Sequence, residues 1–172
     1  MSIVREVELR RRSVEAVVTR AKALAQHPDA VAVQADYARH LCVLISGHIE
    51  KSVLDIAVEY SMGKTAAPIR SYLESSLSRL TNVDKDRLLQ VVGSFDATWR
   101  ERTDKYVIDE KLAALNSIVG LRNNIAHGGA AAVSLGQVER YWASIQEIMD
   151  FVECLFFPTP PVLRVAAAKK SR

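Results

Sequence analysis

The long apolar segment over residues 29–62 is the feature that most constrains the fold of this chain. It is the longest stretch with helical character, and within residues 41–49 hydrophobic side chains lie on almost every side of a helix. A helix with this distribution is surrounded by other elements, as at the centre of a bundle. We therefore predict an all-α bundle with this segment as its central helix, ending close to Gly63.

Breaks in the hydrophobic pattern divide the rest of the chain into further helices. The sequence has only 7 glycines and 5 prolines, and no run of alternating β-branched and polar residues indicates a strand. The mixed-charge segment 96–107 indicates neither a helix nor a loop. The pattern predicts about six helices, over residues 2–26, 29–62, 68–80, 84–95, 108–127 and 134–157.

Length and charge limit the class of protein. The 172 residues correspond to a single domain, and a hydrophobic content of 49% excludes wholesale disorder. We expect the domain to span residues 2–157 and a proline-containing basic tail, residues 158–172, to be flexible. The alternative for this tail is an auxiliary contact to phosphate. The net charge of +3 permits a nucleic-acid partner without requiring one.

The distribution of charged residues and cysteines indicates the cellular compartment of the protein. Charged residues interrupt the N-terminal segment, and no stretch approaches the roughly 20 consecutive apolar residues of a membrane span. We therefore expect a soluble, cytoplasmic protein without membrane association. Cys42 and Cys154 lie among apolar neighbours, which predicts two buried, reduced thiols. The run Arg10-Arg11-Arg12 is interpreted as a solvated face of the first helix.

The helix predicted over residues 108–127 carries an arginine in its apolar stripe. Ile108, Leu112, Leu115 and Val119 follow the spacing of a core-facing stripe, and the next position is Arg122. Burial of a guanidinium costs several kcal/mol unless an anion or a set of acceptors meets it. This position therefore indicates either an internal ion pair or a site for a ligand phosphate.

A second stripe of the same helix contains small and amide-bearing residues and ends in a histidine. Gly120 in mid-helix costs about 1 kcal/mol relative to alanine, which fits the close approach of another helix, for example across a dimer axis. Asn123 and His127 are four residues apart, so the amide is placed to bind the imidazole and fix its tautomer. Arg122 and His127 point about 140° apart on an ideal helix. Their convergence requires the reach of Arg122 or a loosened last turn at residues 128–129.

Residues 121–128, LRNNIAHG, resemble the Arg-x4–6-His motif of HEPN domains in its Arg-Asn-x3-His form. Within that superfamily the chain is similar to the RiboL-PSP-HEPN group, whose long second helix carries a segment like LISGHIE at residues 44–50 here. The resemblance covers roughly residues 2–157. It implies an up-and-down helical bundle that forms a homodimer, with both motifs facing one cleft.

The resemblance also implies a metal-independent endoribonuclease without a cofactor. In that scheme His127 is the general acid/base, Arg122 holds the scissile phosphate, and Asn123 positions the other two. The expected products are a 2′,3′-cyclic phosphate and a 5′-hydroxyl. The expected partners are an RNA substrate, a second copy of the chain and an antitoxin protein, in a toxin–antitoxin, phage-defence or other stress setting.

Two polar residues of the central helix have alternative interpretations. Glu50 is either an additional polar residue of the catalytic site or the structural partner of Arg122 in a salt bridge. His48 fits a partly buried, hydrogen-bonded histidine better than a catalyst. The scattered histidines, without an aspartate cluster, give little support for a metal site.

Two other functions are compatible with the same residues. One is a non-catalytic HEPN domain that binds nucleic acid, nucleotide or a protein partner. The other is an unrelated helical adaptor, in which Arg122 pairs with Glu50 and His127 only ends its helix. The presence of Arg122, Asn123 and His127 together favours catalysis.

Overall fold

The structure, a computed structural model, describes residues 3–24, 30–129 and 131–158. These residues form helices and connecting turns without any strand, so the predicted all-α class is confirmed. The described part contains seven helices where about six were predicted: α1 (Ile3–Ala23), α2 (Ala30–Ser61), α3 (Ala67–Leu77), α4 (Lys85–Phe95), α5 (Ala97–Tyr106), α6 (Asp109–Ala126) and α7 (Leu135–Phe156).

The additional helix is α5, in the segment whose mixed charges gave no clear prediction. Asp96 has an extended backbone, ends α4 and caps α5, because its carboxylate accepts hydrogen bonds from the Thr98 backbone N–H (2.7 Å) and hydroxyl (2.6 Å). These bonds hold the pKa of the Asp96 carboxyl below its usual value. Thr103 is the single buried residue of α5, so this helix has no apolar stripe by which periodicity would reveal it.

Helix α2 is the centre of the bundle, as predicted. It packs against α1, α3, α6 and α7, and from Ala38 to Ala57 its buried residues form one broad face. Val43 is 41% exposed, so the burial on almost every side expected for residues 41–49 is not found. Leu41, Ile45 and Ile49 in the apolar segment are almost completely removed from solvent. At its C-terminal end, Tyr60 makes edge-to-face contacts with Phe156 of α7, at a centroid distance of 5.3 Å, and with neighbouring rings of α4 and α5.

Helix α3 is the least embedded element of the bundle. It has no buried residue, and the side chains of Ile69 and Tyr72 are 59% and 75% exposed. It follows the turn after α2 and begins without a side-chain cap, with Pro68 in its first turn. Residues 78–84 connect α3 to α4 and return the chain to the bundle.

Ion pairs join three helices, contrary to the predicted solvated face of α1. Arg10 pairs with Asp55 of α2, and Arg11 pairs with Asp150 of α7. In this basic run, Arg12 alone lies on the surface, where it pairs with Glu8 at 3.0 Å. The prediction failed because α1 packs so closely on α2 that its arginines reach carboxylates of the neighbouring helices. We call Arg10, Arg11, His48, Asp55 and Asp150 the inter-helix polar cluster.

His48 is the buried member of this cluster, and it is packed as a core residue. The residue is 2% exposed, its ring contacts Trp142 edge-to-face at 5.2 Å, and its Nδ1 lies 3.4 Å from the Ser52 hydroxyl. Its Nε2 is buried, and no hydrogen-bond partner for it lies among the described residues. Burial, together with the charges of Arg11 and Arg10, lowers the pKa of His48 to about 4, while Asp150 raises it in part. The ring is therefore neutral at pH 7, more deeply buried and less fully hydrogen-bonded than predicted.

The cysteine prediction is confirmed for one residue and wrong for the other. Cys42 is buried in α2, and burial raises the pKa of its thiol to about 11. Cys154 lies on the exposed side of α7, because the apolar residues next to it in sequence occupy the opposite face of that helix. Among the described helices, none combines the length and hydrophobicity needed to cross a membrane. Residues 159–172, which include most of the basic tail, lie outside the described residues.

Candidate active site

The motif residues lie in the last turn of α6 and in the turn that follows it. The helix ends at Ala126, and His127 has a non-helical backbone with φ −92° and ψ 11°. Gly128 takes φ +75°, a left-handed conformation that closes helices and favours glycine, and its N–H donates to the Ile125 carbonyl at 3.0 Å. The predicted stop at residues 128–129 is confirmed.

The buried face of α6 differs from the predicted stripe. The buried residues are Ala114, Leu115 and Ile118, whereas Ile108 at the start of that stripe is 48% exposed. Helix α6 packs between α2 and α7, and this places the side of the helix around residues 114 and 118 towards the core. Arg122 is consequently half-buried at the edge of the core instead of occupying a core position.

Two amide side chains hold the guanidinium of Arg122. Its Nη1 donates to the Asn123 Oδ1 at 3.1 Å and to the Asn82 Oδ1 at 3.4 Å. A guanidinium has five N–H donors. Within the described residues, Nε and Nη2 make no hydrogen bond and no acid pairs with this arginine. The positive charge of Arg122 is therefore oriented by neutral acceptors and is not cancelled by a carboxylate.

Asn82 was not among the predicted site residues. It precedes α4 and has φ 53°, a left-handed conformation that asparagine adopts more readily than most residues. Its carbonyl accepts from the Asp84 N–H at 2.8 Å, and Asp84 in turn caps α4 through the Arg87 N–H. An asparagine next to a helix start is a recognisable signal for such a turn, but its contact with Arg122 joins residues 40 positions apart.

Glu50 contacts Asn82 and not Arg122. Its Oε1 accepts from the Asn82 backbone N–H at 2.8 Å and from the Ser46 hydroxyl at 3.4 Å. The salt bridge considered between Glu50 and Arg122 is not formed, because the turn that carries Asn82 lies between them. Glu50 is half-buried and is connected to the motif through this asparagine.

His127 faces solvent at the end of α6. The contact predicted between Asn123 and His127 is replaced, because the Asn123 side-chain oxygen accepts from Arg122. Asn123 lies between the other two motif residues around the helix axis, and the guanidinium of Arg122 extends towards it. The Arg122 guanidinium reaches Asn123, and His127 follows the last helical residue with a non-helical backbone.

The second predicted stripe of α6 forms an exposed strip of small and polar residues. Among the residues that the structure describes, a side-chain carbon added at Gly120 would meet no neighbour within 4 Å, so none of the helices α1–α7 requires a glycine there. The strip leads along the helix to the imidazole of His127. Of the predicted stripe, Ala113, Asn116, Gly120 and His127 are exposed, whereas Asn123 is half-buried.

The arrangement provides a cation and a titratable base without a metal cluster. Over residues 3–24, 30–129 and 131–158, no group of three His, Cys, Asp or Glu side chains is placed to hold a metal ion. The free donors of Arg122 suit an anion, and an exposed imidazole can accept and donate protons.

Comparison with known protein families gives a match over most of the chain. The profile of the RiboL-PSP-HEPN family matches residues 9–156, which run from α1 to the end of α7 and include the whole motif. No curated protein and no solved structure matches the chain significantly. The chain therefore belongs to the RiboL-PSP-HEPN family and folds as a HEPN-type helical domain.

Proposed function

We propose that this protein is a metal-independent endoribonuclease that cleaves RNA to 2′,3′-cyclic phosphate and 5′-hydroxyl ends. The observation that carries the proposal is the pairing of two groups at one helix end. Arg122 keeps its charge and its Nε and Nη2 donors for an anion, and His127 presents an exposed imidazole one turn further along. An anion with a neighbouring hydroxyl is the chemistry that such a pair fits, and RNA supplies both.

Arg122 binds the scissile phosphate in this proposal. The Nε and Nη2 side of the guanidinium offers two parallel donors, which match two phosphate oxygens. Negative charge accumulates on these oxygens as the phosphorus becomes five-coordinate. Donors that are already oriented stabilise this charge without reorganising during the reaction.

His127 transfers the protons. The 2′-oxygen attacks phosphorus and its proton passes to a base, while the bond to the 5′-oxygen breaks and that oxygen takes up a proton. Imidazole is suited to both roles because its ring nitrogens can accept and donate a proton. In a homodimer with the two motifs at one cleft, one His127 acts as the base and the partner copy's imidazole as the acid.

The exposed strip of α6 supports the homodimer in this proposal. Its side chains are small or uncharged except at His127, and the space above Gly120 is open. A second copy placed on this strip brings the two histidine-bearing helix ends close together. The physiological setting that we propose is a toxin or defence ribonuclease restrained by an antitoxin protein.

Cleavage of RNA in EDTA tests the proposal directly. Purified protein is incubated with total tRNA and with mRNA, and the product ends are analysed for cyclic phosphate. Arg122→Ala and His127→Ala are each expected to lose about 10²- to 10⁴-fold in rate. Two exposed residues outside the site supply matched controls, Arg12→Ala and His40→Ala, which should cleave like the wild type.

Two outcomes would contradict the proposal. If wild type and both motif variants are equally inactive, the domain binds its target without cleaving it, as a non-catalytic HEPN domain does. If all are equally active, the cleavage comes from other residues or from a contaminant. Growth arrest on expression that His127→Ala relieves would support the toxin setting.

A further inference from the structure

We infer that Asn82 is a positioning residue for Arg122 and that Glu50 holds Asn82 in place for this purpose. The inference rests on the proposed function of Arg122 as the phosphate ligand. It assigns a role to a turn outside the motif, and it assigns Glu50 a task other than contact with RNA. Two contacts support it, from the Asn82 N–H to Glu50 and from Arg122 to the Asn82 side chain, and they connect α2, the turn before α4 and the end of α6.

The turn that carries Asn82 is fixed on both of its sides. The backbone N–H of Asn82 donates to the Glu50 Oε1 at 2.8 Å, and the next residue, Val83, is 1% exposed and anchored in the core. The carbonyl of Asn82 accepts from the Asp84 N–H at 2.8 Å. With φ 53° fixed by these contacts, the side-chain amide has a defined direction towards α6.

The acceptors around Arg122 orient the guanidinium without neutralising it. An arginine side chain has several rotatable bonds, and ordering it costs up to about 2 kcal/mol. The oxygens of Asn82 and Asn123 both engage Nη1, which fixes the plane of the group before an anion binds. A carboxylate in the same place would form a stronger, charge-assisted pair and compete with phosphate.

The position of Glu50 allows it to rigidify the turn without placing its negative charge beside Arg122. Its charge binds a backbone N–H and the Ser46 hydroxyl, so it rigidifies the turn, while the neutral amide of Asn82 reaches the arginine. The acid thereby acts on Arg122 through an uncharged intermediate. The half-buried carboxylate is stabilised by these donors and needs no arginine as a partner.

Substitutions at Asn82 separate the side chain from the backbone. Asn82→Gly keeps the left-handed conformation and the N–H to Glu50 but removes the acceptor, so the turn should persist. We expect kcat for RNA cleavage to fall about 10- to 100-fold, as for a misplaced catalytic group, with a small change in Tm. Asn82→Asp keeps an acceptor but adds a charge, and we expect a raised KM for RNA. Gln90→Ala, an exposed amide on α4, is the matched control.

Substitutions at Glu50 test the second contact. Glu50→Gln keeps an oxygen that can accept from the Asn82 N–H, whereas Glu50→Ala removes it. We therefore expect Glu50→Gln to lose less activity than Glu50→Ala. Equal inactivation by both, with Asn82→Gly fully active, would instead indicate that Glu50 acts on RNA through its charge and would overturn the inference.

NMR of the arginine side chains gives a readout that does not depend on cleavage. In protein labelled with ¹⁵N-arginine, the Arg122 signals are identified by their loss in Arg122→Lys. We expect slow rotation of the guanidinium in the wild type and in Gln90→Ala, and faster rotation in Asn82→Gly and Glu50→Ala. Unchanged rotation in Asn82→Gly overturns the inference. A wild type that cleaves no RNA while these differences persist overturns the proposed function alone.

Discussion

Two regions of the bundle combine arginine with histidine, and they differ in what surrounds the charges. In the inter-helix polar cluster, both arginines pair with carboxylates and the histidine is enclosed between α1, α2 and α7. At the end of α6, Arg122 is held by amides and His127 is exposed to solvent. The same residue types therefore serve the stability of the fold in one place and a candidate site in the other.

The comparison shows which features separate the two uses. A carboxylate cancels the charge of an arginine and joins two helices, which contributes to the fold. An amide oxygen leaves that charge in place. Burial likewise lowers the pKa of His48 to about 4 and makes its ring a poor base, while His127 is exposed to solvent. Acceptor chemistry and exposure, more than residue type, identify the candidate site.

The largest expected difference between the two regions is in the effect of replacing an arginine by lysine. Arg122→Lys keeps a positive charge but loses the planar pair of donors, so we expect kcat/KM for RNA in EDTA to fall by about 10²-fold or more. Arg10→Lys should leave cleavage unchanged and lower Tm slightly. Cleavage rates and thermal melting of both variants test this contrast. Full activity of Arg122→Lys would show that a point charge is sufficient.

The second expected difference is in the response to pH. Because the pKa of His48 is about 4 in the folded protein, the unfolded chain binds an extra proton as pH falls below the usual histidine value near 6.5. The free energy of unfolding should therefore decrease between pH 6.5 and 4, by up to about 3 kcal/mol, and this part of the change should level off below pH 4. Above pH 6.5 this residue should have no effect.

Urea titrations over this pH range measure the effect. His48→Phe removes the titrating group, and its stability should depend less on pH between 6.5 and 4 than that of the wild type. His127→Ala, at an exposed position, is the matched comparison and should retain the wild-type slope. Identical slopes for wild type and His48→Phe would mean that the pKa of His48 is the same in the folded and the unfolded chain.

A smaller effect is expected from the ion pair between α1 and α2. Asp55→Asn leaves Arg10 with a weaker acceptor in a partly buried position. We expect a loss of about 1–2 kcal/mol in unfolding free energy, intermediate between exposed and fully buried pairs. Chemical denaturation measures this loss, and RNA cleavage by the folded variant should equal that of the wild type. A selective loss of cleavage would place this cluster within the catalytic site.

The smallest effect is expected at Gly120, on the exposed strip. Gly120→Ala improves helix propensity by about 1 kcal/mol, and within the described part of the chain no atom lies in the way of the added methyl group. The monomer should therefore become slightly more stable. If the strip is the homodimer face, the added methyl group should weaken the dimer, which analytical ultracentrifugation over a range of concentrations measures. A more stable chain with an unchanged dimer would place the dimer contact elsewhere.

Much of the fold follows from local sequence patterns. The distribution of apolar residues predicts the central helix, and turn residues such as Gly128 predict where helices end. Helix α5 is not predicted from the apolar pattern, because it begins at an aspartate cap and has no apolar stripe. The buried face of α6 was misjudged because apolar residues occupy two adjacent stripes, and only packing between α2 and α7 decides between them.

The candidate site, too, can be predicted from the sequence only in part. Arg122, Asn123 and His127 are found from their spacing within one helix. Asn82 is not, because its contact with Arg122 depends on how the turn before α4 docks beside α6. The orientation of Glu50 towards that turn likewise depends on tertiary structure, so the sequence leaves its role open.

The weak embedding of α3 has a consequence for amide hydrogen exchange. With no buried residue, α3 should open locally at a small fraction of the global unfolding free energy, and its amides should exchange early. The backbone N–H of Asn82 donates to Glu50, and the next residue, Val83, is buried. This hydrogen bond therefore marks the boundary between two units of different protection, and α3 can unfold and refold while the neighbouring turn stays closed.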